Sequence, residues 1–205
     1  MSLFYQVSYR IGFHPWEDLA EHKPFANALV GLFEREEEGQ EPPYGSALDL
    51  GCGSATWGVR LAARGWRVTG VDNVPTAVGR AEERIRETGV NMRVVLGDVT
   101  RLRESAVGSG YDLVVDTGTF HGLTPAQQLD MGREVTFIAA EEATVILDCF
   151  APRRRGPLPR GCTQADVETA FPAWQITDAI DADTDPDPIA RVFKFREVFY
   201  RLRRK

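Results

Sequence analysis

Cysteine is scarce in this chain: Cys52, Cys149 and Cys162 are its only three in 205 residues, and they show no metal-type spacing. That excludes a disulfide framework and a zinc site as organising devices, and it leads us to expect a cytoplasmic setting. Long apolar runs are also missing. No stretch approaches the roughly 18 residues of a membrane span, and Met1 to Gly12 lacks the uninterrupted apolar segment of a signal peptide, so no membrane association is expected. Positive charge is in deficit, with a formal net charge of -6. A protein that works by neutralising phosphates carries a basic footprint, so nucleic acid is not expected as a partner. The basic run Arg201-Leu202-Arg203-Arg204-Lys205 is the exception and reads as a solvated tail.

What remains is a balanced composition, 43% hydrophobic and 26% charged, which suits one globular domain with a substantial core. Residues 1–45 are expected to form N-terminal helices and a lid, and residues 46–205 the core. Leu19, Phe25, Ala28, Leu29 and Leu32 recur at mostly helical spacing between Trp16 and Glu38. After the punctuating loop Glu41 to Gly45, short apolar runs predict strands at Ala47 to Leu50, Val68 to Val71, Met92 to Leu96, Leu113 to Val115 and Val145 to Leu147. Helical patterns lie between them near Thr56 to Ala63, Pro75 to Glu87 and Pro125 to Ala140, with both prolines suited to a first helical turn. This alternation predicts an α/β fold with a mostly parallel sheet and helices on both faces. Thr163 to Phe171 reads as a further helix, and segments near Trp174 to Ile180 and Ala190 to Leu202 as a closing hairpin. Asp183, Asp185 and Asp187, among prolines, suit an exposed turn.

The first strand runs into Asp49-Leu50-Gly51-Cys52-Gly53-Ser54-Ala55. A Gly-rich turn between a parallel strand and its helix lets a ligand approach the backbone. A dinucleotide fingerprint needs a third glycine at the sixth place from Gly51, where Thr56 stands, so that pattern fails. Asp49 is not demanded by a pyrophosphate but would favour a ligand with an ammonium group, as S-adenosylmethionine has. Asp72 ends the second strand, where a carboxylate accepts both ribose hydroxyl protons. Asp98 follows the third strand, placed to accept from an adenine amino group while the adjacent N–H, that of Val99, meets the ring. Three carboxylates at successive strand ends point to one nucleoside crevice.

Leu48-Asp49-Leu50-Gly51-Cys52-Gly53, Gly70-Val71-Asp72, Gly97-Asp98 and Tyr111 to Asp116 resemble, in order, the motifs of class I S-adenosylmethionine-dependent methyltransferases. The resemblance covers Ala47 to Phe150. It implies a Rossmann-like, seven-stranded sheet with a reversed C-terminal strand, S-adenosylmethionine as cofactor and S-adenosylhomocysteine as product. Ala55 departs from the pattern, since many members carry a third glycine there. Near the N-terminus, Pro15-Trp16-Glu17 resembles an element of the thiopurine and tellurite-resistance enzymes, in which it faces the cofactor; Tyr9 and Trp16 are candidates for the sulfonium end, where a ring face favours a cation. Packing of these aromatics on the sheet is the alternative.

The acceptor is expected beyond the fourth strand, at Asp116-Thr117-Gly118-Thr119-Phe120-His121-Gly122. Methyl transfer to a hydroxyl needs a group to remove its proton, and His121 is the first candidate base, with His14 second. The alternative for His121 is a histidine that packs or caps. Asp116 either holds a base, a hydroxyl or a cation, or ends the strand by accepting backbone N–H groups; Phe120 reads as core. Catechol-type enzymes hold magnesium with carboxylates after the fourth and fifth strands, where Asp116 and Asp148 fall here. Their pattern also needs a partner at Cys149, so no metal is assigned. The expected reaction is therefore methylation of a small-molecule hydroxyl. The motif around His121 also resembles small actinobacterial enzymes, among them those that methylate mycobacterial mannose polysaccharides, which makes a saccharide the narrower expectation. Sulfur or nitrogen acceptors, an anionic acceptor met by Arg153 to Arg155 and Arg160, a nicotinamide oxidoreductase and a binding protein without transferase activity are the rivals. A homodimer is a further expectation, from exposed apolar helix faces.

Overall fold

The computed structural model describes residues 23–152, 160–182 and 197–205. The expected lid residues Tyr9, His14, Pro15, Trp16 and Glu17, the loop at Arg153 to Arg155 and the acidic turn at 183–187 lie outside the described residues. The described elements alternate as α1 (Lys23–Glu37), β1 (Ser46–Leu50), α2 (Thr56–Arg64), β2 (Arg67–Asp72), α3 (Pro75–Thr88), β3 (Met92–Leu96), β4 (Tyr111–Asp116), α4 (Pro125–Ile138), β5 (Ala139–Phe150), α5 (Gln164–Ala170), β6 (Trp174–Ala182) and β7 (Glu197–Arg204). Single 3-10 turns at Leu102–Glu104 and Phe120–Gly122 precede and follow β4.

The strands form one seven-stranded sheet in the order β3-β2-β1-β4-β5-β7-β6. Neighbours from β3 to β5 are parallel, and β7 runs antiparallel between β5 and β6. This is the Rossmann-like sheet with one reversed strand that the motif order implies. Period-two alternation divides its core. Leu48, Leu50, Val114, Val145 and Leu147 pack on one face against Met131, Val135 and Ile138 of α4 and Val167 of α5. Ala47, Leu113, Val115 and Ile146 pack on the other against Phe25, Leu29, Leu32 and Phe33 of α1 and Trp57 and Leu61 of α2.

Local chemistry fixes the helix starts. Pro75 and Pro125 sit in first turns, and Thr124 with Gln127 and Thr163 with Asp166 form reciprocal capping boxes. Two expectations are corrected. The helix opened by Pro125 ends at Ile138, and Ala139 and Ala140 already belong to β5. Arg201 to Arg204 are not a solvated tail but part of β7: Arg201 Nε lies 2.6 Å from Glu36 Oε1 of α1. No helix among the described residues is long and apolar enough to cross a membrane.

Candidate functional site

Parallel pairing brings the carboxyl ends of β1, β2, β4 and β5 to one edge, and β7, being reversed, brings its first residue there too. Buried carboxylates line that edge: Asp49 on β1, Asp72 closing β2, Asp116 closing β4, Asp148 on β5 and Glu197 opening β7. None of Asp49, Asp72, Asp116 and Asp148 forms an ion pair among the described residues. Carboxylates gathered in a low dielectric without cations resist ionising.

Each carboxylate has a different environment. Asp49 is 2% exposed, and neither of its oxygens has a partner at hydrogen-bonding geometry. The side chain lies under α2, so close that a Cβ at Gly58 would stand 2.8 Å from Oδ2. Burial, and then the charges of Asp116 and Asp72, push its carboxyl up to about 7, while the Gly58 backbone amide pulls the other way. Asp72 is pinned by backbone: Oδ2 accepts from the Gly53 N–H at 3.0 Å and Oδ1 from the Val74 N–H at 2.8 Å. Burial raises it despite these donors. Asp116 is fully buried. Its Oδ1 accepts from the Gly118 and Thr119 amides at 2.8 and 2.7 Å and its Oδ2 from the Phe120 amide at 2.9 Å; burial pushes the carboxyl up to about 6 against these donors. Asp148 has an unpartnered buried Oδ1, and burial, followed by the charges of Glu197 and Asp116, holds it well above the usual carboxylate range.

The glycine turn is stitched to this edge. Gly51 and Gly53 take φ +62 and +55, and the Cys52 N–H donates to the Val71 carbonyl at 3.0 Å. Ala55, in the place where the resemblance would put glycine, adopts the left-handed φ of 61 as the residue before α2. Asp98 closes its own loop, with Oδ1 accepting from the Thr100 N–H at 2.9 Å and its hydroxyl at 2.7 Å. The Val99 side chain is in the core, which leaves the backbone as its contribution to any ligand.

The loop after β4 folds over the carboxyl end of β5. His121 is 2% exposed, within the 3-10 turn; its ring lies 4.3 Å from that of Phe150. Nδ1 sits 3.3 Å from the Asp148 carbonyl and 3.4 Å from the Phe150 N–H, while the Cε1 and Nε2 side of the ring turns toward Gly118. Phe120 is fully buried in the core, as the sequence implies. Asp116, Asp148 and His121 are thus brought to one edge with Asp49 and Asp72. Among the described residues, no three His, Cys, Asp or Glu side chains are grouped so as to hold a metal ion.

Sequence reasoning missed three features. Thr119 packs directly on Gly51, Asn73 beside Asp72 has a buried and unpartnered Oδ1, and Glu197 enters the edge from β7. Asn73 was findable from its place after Asp72. Glu197 was not, because only the strand reversal carries it there.

Residues 47–139 match the family described as "Methyltransferase domain". The chain is 35% identical over 77 residues to the ribosomal RNA small subunit methyltransferase C of Alcanivorax borkumensis, covering 38% of this chain and 22% of that one. It is 29% identical over 126 residues to the 2-heptyl-1-hydroxyquinolin-4(1H)-one methyltransferase of Mycobacteroides abscessus, covering 57% of this chain and 53% of that protein. The chain thus spans about half or less of the length of these curated relatives. Among solved structures, the Burkholderia thailandensis 1,6-didemethyltoxoflavin-N1-methyltransferase, bound to 1,6-didemethyltoxoflavin and S-adenosylhomocysteine, superposes with a TM-score of 0.73 at 20% identity, over 98% of this chain and 85% of that one. The N-methyltransferase NodS of Bradyrhizobium japonicum, in complex with S-adenosylhomocysteine, gives 0.70 at 16% identity, over 91% and 90%.

Proposed function

We propose that the chain, whose residues 47–139 match a family described as a methyltransferase domain, is a class I enzyme that transfers a methyl group from S-adenosylmethionine to the hydroxyl oxygen of a small molecule, a sugar hydroxyl being the narrower form of this reading. The observation that carries it is Asp49: a carboxylate with two buried, unpartnered oxygens beside the glycine turn, backed by Asp116 and Asp72, favours a ligand that brings positive charge. In this reading the Gly51 to Gly53 turn takes the amino-acid end of the cofactor with Asp49 behind it, and Asp72 accepts the ribose hydroxyls. Asp98 and the Val99 N–H meet the adenine edge. Trp16 is proposed to cover the sulfonium end.

When bound, S-adenosylmethionine supplies a methyl group on a positively charged sulfur. The chain's own work is to orient the acceptor, exclude water and move one proton. In the tautomer that carries its proton on Nδ1, donating to the Asp148 carbonyl in place of accepting from the Phe150 N–H, His121 would present Nε2 as the acceptor of the hydroxyl proton. Asp116 holds the loop that carries this ring, through three amides. During transfer the chain would hold the acceptor oxygen facing the donor's methyl group and take the hydroxyl proton onto His121 Nε2.

The test is His121→Ala, assayed with labelled methyl donor on a panel of hydroxyl, amine and thiol acceptors. Transfer to hydroxyl acceptors should fall about 100-fold while cofactor affinity stays within about threefold. Wild-type turnover in the variant would discard the base assignment. Binding of NADH with no binding of S-adenosylmethionine would discard the whole reading.

A further inference from the structure

The glycine turn and the His121 loop meet at one side chain. A Cβ on Gly51 would stand 1.9 Å from Thr119 Oγ1 and 3.0 Å from Thr119 Cβ, so the position is glycine because Thr119 already fills the space above it. The Thr119 hydroxyl donates to the Leu50 carbonyl, the last one before the turn, at 3.3 Å. Its backbone N–H donates to Asp116 Oδ1 at 2.7 Å, and its carbonyl accepts from the Gly122 N–H at 3.0 Å, closing the turn that contains His121. Three groups of one residue therefore tie the strand end before the glycine turn, the β4 carboxylate and the His121 turn together. Packed contacts without slack transmit displacement rather than absorb it.

We propose that Thr119 is a positioning residue that couples occupancy of the glycine turn to the placement of the His121 imidazole. The inference rests on the reading of that turn as the cofactor site and of His121 as the base. A shift of Gly51 on ligand binding moves the Leu50 carbonyl and presses on Thr119. Because Asp116 and Gly122 hold its backbone, the displacement passes to the two residues that follow. The base is then brought into position only when the methyl donor is present, which guards against an idle, misplaced imidazole.

The experiment follows the His121 ring resonances by NMR in the full chain, with and without S-adenosylhomocysteine. There are only three histidines, His14, His22 and His121, and the His121→Gln spectrum identifies the signal. In the wild type the ligand should shift the His121 signal. In Thr119→Val, which keeps the shape but loses the donor, S-adenosylhomocysteine should bind within about threefold of wild type while the His121 shift collapses. Where an acceptor is in hand, kcat should fall about tenfold with the KM for S-adenosylmethionine nearly constant. Thr119→Ser should restore both shift and rate, and Thr119→Ala should reproduce the loss should valine perturb folding. A full ligand-induced shift in Thr119→Val or Thr119→Ala overturns the coupling, as does a His121 signal that does not move in the wild type although the ligand binds. No binding of S-adenosylhomocysteine to the wild type overturns the underlying reading instead.

Discussion

Ala55 shows how one methyl group can be tolerated where the resembled motif often has glycine. Its left-handed φ of 61 costs an L-residue about 1–2 kcal/mol relative to the right-handed region. Replacing it by glycine would relieve that strain. The same change gives the unfolded chain about 0.5–1 kcal/mol of extra entropy and removes a fully buried methyl worth about 0.8 kcal/mol. The terms nearly cancel. Urea unfolding should place Ala55→Gly within about 1 kcal/mol of wild type, whereas Ala55→Val, β-branched at positive φ in a packed site, should lose more than about 2 kcal/mol. A harmless valine would refute the left-handed conformation. Residue identity alone could not distinguish Asp49, unpartnered under α2, from Asp116, whose two oxygens accept three amides. Both are aspartates near strand ends, and their difference lies in what the neighbouring backbone offers.

At the scale of elements, α1 is fastened to the far end of the sheet by Glu36. Its Oε2 accepts from Thr144 Oγ1 at 2.6 Å and its Oε1 from Arg201 Nε at 2.6 Å, with side-chain exposures of 8% for Glu36 and 17% for Arg201. Asp178 lies 3.7 Å from the Arg201 guanidinium and shares its charge. Glu36→Ala should therefore cost about 1–3 kcal/mol, less than the loss of an isolated buried pair, and Glu36→Ala with Arg201→Ala should cost less than the sum of the single changes. Additive losses in denaturant titrations would show that the pair carries no coupling. The arginines of β7 looked like a solvated tail because their partners are distant in sequence, Glu36 being 165 positions from Arg201 and Thr144 59 from Arg203, beyond any local pattern. The helix starts, by contrast, were legible, since Pro125 and the Thr124–Gln127 box act within one turn.

For the whole molecule, the buried acidic edge sets the response to pH. Burial lifts Asp49 to about 7 and Asp116 to about 6 from an ordinary value of 3.8. The folded chain therefore holds protons that the unfolded chain has already released. Stability of the ligand-free protein should fall as pH rises from about 4 through about 7, and Asp148, held well above the usual carboxylate range, adds to the fall in the same direction. Burial also pushes Glu134 up, but its pairing with Arg103 more than reverses this; pairing with Arg35 lowers Asp178, so these two lose stability only at more acid pH, outside that window. Thermal unfolding should give a Tm about 5 °C lower at pH 8 than at pH 5.5, and Asp49→Asn should remove part of that difference. Binding of a cationic ligand favours the ionised carboxylates, so cofactor binding near pH 6.5 should release protons, measurable by calorimetry in buffers of different ionisation enthalpy. A Tm that rises with pH across the window, or binding without proton release, would contradict this account.

The sequence by itself determined the alternation of strands and helices, the glycine turn, and the succession Asp49, Asp72, Asp98 and Asp116 near strand ends, because these are written in short-range periodicity and spacing. Only the tertiary structure decided what those carboxylates face: Asp49 under Gly58, Asp116 on three amides, Asp148 beside a glutamate that the reversed β7 delivers. It also decided that Gly51 is glycine to admit Thr119. Strand reversal, burial and close approach depend on which distant segments meet, and a linear pattern carries no distances between them.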